Sequence, residues 1–319
     1  MAQQRHVPVL LNETIDFLRV RPNGTYVDCT LGLGGHSEAI FRRLGPAGRL
    51  VGFDRDPVAF ELAKARLERV AEEMGSEAPQ LTLVPEAFSS IARHIQPASV
   101  DGLLADFGVS SLQLDSAQRG FSFMAAGPLD MRMDTRGGIT AEQVVNEMDE
   151  RELANLVYEL GEERRSRTVA RAIVRGRPIT TTDQLARIVV SAVPGTRNSH
   201  LHPATRTFQA IRIYVNSELD EIHKLLEAAP SLLKPSGRIA LISFHSLEDR
   251  IAKDSLRDGA HRGTWQILTK KPVTATEDET DRNPRSRSAK LRAAERTEVA
   301  ERTADADLGP EIATPRFHR

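Results

Sequence analysis

The sequence predicts an α/β fold: a parallel sheet whose chain is interrupted by an all-helical insertion. Three observations carry this reading. Short β-like runs alternate with helical patterns over the first 110 residues, a long strand-free stretch follows, and the β-like runs then resume. Strands separated by helices imply crossover connections, and crossovers imply a parallel sheet.

The elements follow in order. Thr25 to Cys29 reads as a buried strand, with a helix over Ser37 to Leu44 behind it. Arg49 to Phe53 is the second strand, followed by a helix over Pro57 to Met74 with apolar residues at helical spacing. Asp56 is placed to cap that helix and Pro57 to open it, since Pro loses no hydrogen bond in the first turn. Leu81 to Val84 and Gly102 to Ala105 make the third and fourth strands. Arg119 to Gly138 has no clear period and reads as an ordered loop. Helices are expected over Asp149 to Leu160, Ser166 to Arg175 and Asp183 to Val193, the last with Thr181 and Gln184 at capping-box spacing. Phe208 to Ala229 reads as one long amphipathic helix, Leu233 to Gly237 as a turn, and Arg238 to Ser243 as a strand. Two weaker strands are expected at Trp265 to Leu268 and Leu291 to Glu295. The expected organisation is a first sheet segment over 1–111, a helical insertion over 112–206, a returning sheet segment over 207–302, and a flexible polar tail over 303–319.

Composition narrows the class. With 319 residues, 40% hydrophobic and 27% charged, the chain can bury a core without disulfide or metal staples. Its single cysteine, Cys29, excludes a disulfide framework and a Cys-based zinc cluster, and fits a reducing cytosol. No apolar run approaches the roughly 20 residues of a membrane span, and the first residues lack the apolar core of a signal peptide, so a cytoplasmic protein is expected. The net charge is -1, yet ten arginines and no lysine lie between Glu162 and Arg212, against only Glu162, Glu163 and Asp183. A local arginine field in a neutral chain points to nucleic acid, or else to a merely solvated helix face.

The first strand runs into Leu31-Gly32-Leu33-Gly34-Gly35-His36 and then a helix. Glycines let such a turn approach a ligand, and the helix start offers unpaired N–H groups. The dinucleotide version is G-x-G-x-x-G; here Ser37 occupies the third position. Asp54 closes the second strand about 20 residues on, where a carboxylate accepts hydrogen bonds from ribose hydroxyls. NAD and S-adenosylmethionine both carry that ribose, so Asp54 does not separate them. Asp106 ends the fourth strand, at the edge where doubly wound sheets bind ligands, and can face an amine. No second nucleotide-binding half suitable for nicotinamide is visible. A lone His245, read as lying in a polar loop after the fifth strand, suits a structural hydrogen bond better than a substrate contact.

Several blocks together resemble one family. They are Gly34-Gly35-His36-Ser37, Asp54-Arg55-Asp56-Pro57, Asp106-Phe107-Gly108-Val109-Ser110-Ser111 and Arg119-Gly120-Phe121-Ser122-Phe123. Asp130-Met131-Arg132-Met133-Asp134, the stretch 202–210 (His-Pro-Ala-Thr-Arg-Thr-Phe-Gln-Ala) and the stretch 243–250 (Ser-Phe-His-Ser-Leu-Glu-Asp-Arg) complete the set. The sequence resembles the MraW family of bacterial ribosomal RNA small-subunit methyltransferases over residues 5 to 300. The resemblance implies a class I, Rossmann-like methyltransferase sheet with an inserted helical substrate-recognition domain. It also implies S-adenosylmethionine as methyl donor and the N4 amine of a decoding-region cytidine of 16S rRNA as acceptor, within the small ribosomal subunit or a late assembly particle. The family's donor-binding positions fall on Gly34, Gly35, His36, Asp54, Phe88, Asp106 and Gln113, with Asp106 also the candidate catalytic group. No metal site is implied. Arg132, Arg164, Arg165, Arg167, Arg171 and Arg175 are the expected RNA contacts.

Overall fold

The computed structural model describes residues 8–193 and 202–298. The expected tail (303–319), residues 1–7 and Arg197 lie outside them. Seven strands form one sheet: β1 (Thr25–Asp28), β2 (Arg49–Phe53), β3 (Gln80–Val84), β4 (Val100–Asp106), β5 (Leu233–Ser243), β6 (Trp265–Ile267) and β7 (Lys290–Arg296). Their order is β3-β2-β1-β4-β5-β7-β6. The first five run parallel, and β7 lies antiparallel to both β5 and β6. This is the expected class I sheet. Val27, Leu50, Phe53, Leu103 and Leu104 are fully buried, because helices cover both faces of a parallel sheet and leave its central strands no wet side.

Before the fourth strand lie α1 (Leu11–Leu18), α2 (Gly35–Phe41), α3 (Pro57–Met74) and α4 (Ile91–His94). Asp56 caps α3 as expected, accepting from the amides of Val58 and Ala59. After β4 come α5 (Ser111–Asp115), α6 (Ala141–Glu147), α7 (Glu150–Gly161), α8 (Ser166–Arg175), α9 (Thr182–Ala192) and α10 (Thr205–Asn216). Helices α6 to α10 close on their own apolar cluster, including Val145, Val157, Ile173, Val189 and Ile211. The chain returns through α11 (Glu218–Leu232), β5, α12 (Ser246–His261), β6, α13 (Glu277–Arg282) and β7. No described helix is long and apolar enough to cross a membrane.

Two expectations are corrected, and one helix was missed. The long helix over Phe208 to Ala229 is two helices, broken where Ser217 takes φ 50°. Both halves keep apolar spacing, so periodicity alone does not reveal the break. Leu233 to Gly237 is not a free turn but the start of β5: Leu233 pairs with Val100, and the residues up to the Gly102–Arg238 pair form an irregularity in the ladder. His245 lies, as expected, in the short connection after β5, where it is the N-cap residue of α12; that sixteen-residue helix itself was not assigned from the sequence.

The break at Ser217 is held by buried Asn216. Its Nδ2 donates to the carbonyls of Met131 (2.7 Å) and Arg212 (2.9 Å), and its Oδ1 accepts from the Met133 amide (2.7 Å). One side chain thereby ties α10 to the 130–134 loop. Asn216→Ala leaves these buried groups unpaired and should lower stability by about 1–3 kcal/mol, read from urea unfolding. An unchanged midpoint would deny the tie.

Candidate active site

The loops at the carboxyl ends of β1, β2, β3 and β4 meet in one cleft. The first loop is shaped by glycine: Gly32 and Gly34 have φ of 51° and 74°, a region costly for other residues. At Gly35 the constraint is space, since a Cβ there would stand 2.3 Å from the Pro8 ring crossing over the start of α2. Asp54 holds this loop from the next strand. Its Oδ2 accepts from the Gly32 amide (2.7 Å) and its Oδ1 from the Asp56 amide (2.8 Å). Burial nevertheless pushes its carboxyl up to about 7, the two amides offsetting only part of that effect. Asp28, fully buried below, accepts from Ser37 Oγ (2.7 Å) and the Thr30 amide (3.0 Å).

Asp106 closes β4. Its amide donates to Thr30 Oγ1 (2.6 Å), and its Oδ2 lies 3.8 Å from His36 Nδ1. Oδ1 is buried and, among the described residues, meets no hydrogen-bond partner. Burial, then the charges of Asp28 and Glu248, hold the carboxyl well above its ordinary range. His36 is buried, with Nε2 3.0 Å from the Val9 carbonyl. That contact assigns the ring proton to Nε2 and turns Nδ1 toward Asp106. Phe88 opens a short turn after β3, half-buried, its ring centroid 6.2 Å from that of Phe107. Glu221 of α11 steadies this turn by accepting from the Ser89 amide (3.2 Å) and hydroxyl (2.9 Å).

Gly35, His36, Asp54, Phe88, Asp106 and Gln113 all line this cleft, whereas Gly34 stands behind the wall. Gln113 has structural duties as well. It completes the capping box of α5 with Ser110, and its Nε2 donates to Asp56 Oδ2 (2.8 Å). Arg119 Nη1 meets the same oxygen at 2.9 Å, so buried Asp56 joins α3 to the segment after β4. Sequence reasoning missed the far wall, where Arg55, Met133, Glu218 and Glu248 also face the cleft. Glu218 receives a bidentate pair from Arg212, both bonds at 2.9 Å. The sequence signal for this wall is the block 243–250, in which His245 draws the eye and Glu248 does not.

The arginine field divides. Arg132 is forked onto Asp130, both bonds at 2.8 Å, and Arg212 is buried against Glu218. Arg177 donates to the carbonyls of Val145 and Met148. Arg171 pairs with Glu150, and Arg187 with Asp183. Arg164, Arg165, Arg167 and Arg175 are exposed, and none forms an ion pair among the described residues. Arg167, Arg171 and Arg175 recur every four residues, on the face of α8 opposite buried Val169 and Ile173.

Because the folded state binds the Asp54 proton more tightly than the unfolded chain, this group's contribution to stability is present at acid pH and declines as pH rises from about 4 to 7. Asp54→Asn should make that decline shallower, as measured by urea midpoints at intervals across the window. A decline as steep as in the parent would contradict the burial of Asp54.

The chain matches the MraW methylase family over residues 3–297. It is 63% identical over 296 residues to the ribosomal RNA small subunit methyltransferase H of Acidobacterium capsulatum, covering 93% of this chain and 100% of the relative. The protein of the same description from Koribacter versatilis is 59% identical over 296 residues, covering 92% and 95%. Among solved structures, an rRNA methylase from Streptococcus thermophilus aligns with 11% identity and a TM-score of 0.41, covering 92% of this chain and 99% of that one. A family match across almost the whole length, with relatives this similar, shows that the chain belongs to the MraW methylase family.

Proposed function

We propose that the chain transfers a methyl group from S-adenosylmethionine to the exocyclic N4 amine of a cytidine in the decoding region of 16S rRNA, in the cytoplasm. The observation that carries this reading is one cleft in which the glycine turn, Asp54, Phe88 and Asp106 face each other at the carboxyl edge of the sheet. The acceptor rests on the family resemblance, and the small ribosomal subunit on the names of the relatives. The segment 112–206 is taken as the part that recognises RNA.

The residues present fit the donor. Gly32 and Gly34 keep side chains out of the turn, the Asp54 carboxylate has lone pairs left for ribose hydroxyls, and Phe88 offers an apolar face for adenine. When bound, S-adenosylmethionine supplies a methyl group already activated on a sulfonium. The chain's task is therefore positioning, which alone can contribute several kcal/mol. Asp106 holds the acceptor amine: its Oδ1, without a hydrogen-bond partner among the described residues, is an acceptor for an N–H. A cytosine edge in folded RNA is paired or stacked, so the base is extracted before reaction, with exposed arginines gripping the backbone.

The decisive experiment maps the nucleotide methylated when the purified chain acts on small subunits lacking the modification. A single N4-methylcytidine in the decoding region is expected; another nucleoside, or no product, refutes the reading. Asp106→Asn should reduce the single-turnover rate, measured at saturating donor, at least tenfold, each tenfold being 1.36 kcal/mol. A rate within about twofold of the parent removes Asp106 from the mechanism.

RNA binding should weaken steeply with salt. If the exposed arginines neutralise phosphates, replacing Arg164, Arg167 and Arg175 by Ala should flatten the log–log salt slope by about 0.7–0.9 for each phosphate left without its guanidinium. Donor binding should not change. An identical slope would place the RNA elsewhere.

A further inference from the structure

The block 243–250 is the conspicuous sequence feature that the proposed chemistry leaves unused, and the fold puts it beside the reacting edge. Strand β5 pairs with β4, Ile242 opposite Asp106, so the chain leaving β5 turns into α12 next to the Asp106 carboxyl. Glu248, in the first turn of α12, lines the cleft wall yet exposes no surface to solvent. Its Oε2 accepts from the amides of Phe244 (2.8 Å) and His245 (3.3 Å). Its Oε1 lies 3.1 Å from His245 Nε2, without completing a well-formed hydrogen bond, and faces Gly108, two residues beyond Asp106.

We propose that Glu248 is a positioning residue for methyl transfer: a fixed negative charge, held by the Phe244 and His245 amides close to the end of β4, that makes Asp106 the proton acceptor for the methylated amine. This rests on the amine-methylation reading above. The step balances as follows. The N4 lone pair forms the new N–C bond while the C–S bond breaks and its electrons go to sulfur. Nitrogen then carries a surplus proton, and Asp106 takes it as the N–H electrons return to nitrogen.

The bland alternative is that Glu248 merely caps α12, completing a capping box with His245. A cap alone does not explain its burial in the cleft wall, and an exposed carboxylate would cap as well. The surroundings also keep it charged. Burial raises the Glu248 carboxyl, but His245, Arg212 and the Phe244 amide outweigh that and hold it below its ordinary range. Arg212 of α10 is itself bound to Glu218 of α11, while His36 of α2 and Asp28 of β1 stand on the far side of Asp106. A buried charge acts on its neighbour with little screening by salt.

Gln caps a helix as well as Glu, so Glu248→Gln keeps the cap and removes the charge. We expect the acidic limb of the single-turnover pH profile to move down by about one pH unit, as the like charge near Asp106 is lost. The plateau rate should fall severalfold, with donor affinity and thermal midpoint retained. In an Asp106→Asn background the same substitution should add nothing. An acidic limb that stays in place overturns the proposal, and so does a Glu248→Gln chain that no longer folds or binds donor, since Glu248 would then be a structural cap. A parent enzyme that forms no N4-methylcytidine would instead sink the underlying reading, whatever the variant does.

Discussion

The structure depends on what happens to acidic side chains where parallel strands end together. Strands β1 to β5 point the same way, so their carboxyl ends share one edge, and the chain must turn there with its amides uncovered. Asp28, Asp54 and Asp56 meet that need, accepting from the amides of Thr30, Gly32, Asp56 and Val58. Each carboxylate offsets part of its own desolvation by ordering a loop of the cleft. Among these aspartates Asp106 is the exception, one of its oxygens meeting no hydrogen-bond partner among the described residues.

Buried polar groups also join the two parts of the molecule. The helical cluster of α6 to α10 is separate from those flanking the sheet. Polar ties bridge them: Asp56 to Arg119 and Gln113 on one side, Asn216 to the 130–134 loop on another. Arg55 adds a third, reaching the Asn216 carbonyl at 2.8 Å. Arg55, Gln113 and Met133, which make these ties, also line the cleft. Such buried ties specify an arrangement more than they add net stability.

Net charge says little about the arginine field. Arginines adjacent in sequence do different work: Arg164, Arg165 and Arg167 stand in solvent, while Arg177 and Arg212 are committed to helix ends and a buried carboxylate. Counting charges finds the field; only burial and pairing show which guanidiniums remain available for phosphate.

Much of the fold was legible in the sequence, because local rules decide it. The strands of the first half are continuous apolar runs, Asp56-Pro57 announces a helix start, and Thr181 with Gln184 forms the capping box its spacing suggests. The glycine turn, Asp54 and Asp106 were visible as strand ends, whereas Phe88 and Gln113 lie outside the family blocks and follow only from the resemblance. The tertiary structure alone decided the rest. Ser217 breaks a helix whose apolar period runs on unbroken, because Asn216 is clamped by a loop far away in sequence. Glu248 looks like an ordinary surface acid in a polar helix; folding buries it in the cleft wall, with Oε1 facing Gly108. Periodicity reports which face of an element is apolar, but a charge is assigned its role by neighbours that the chain brings together only on folding.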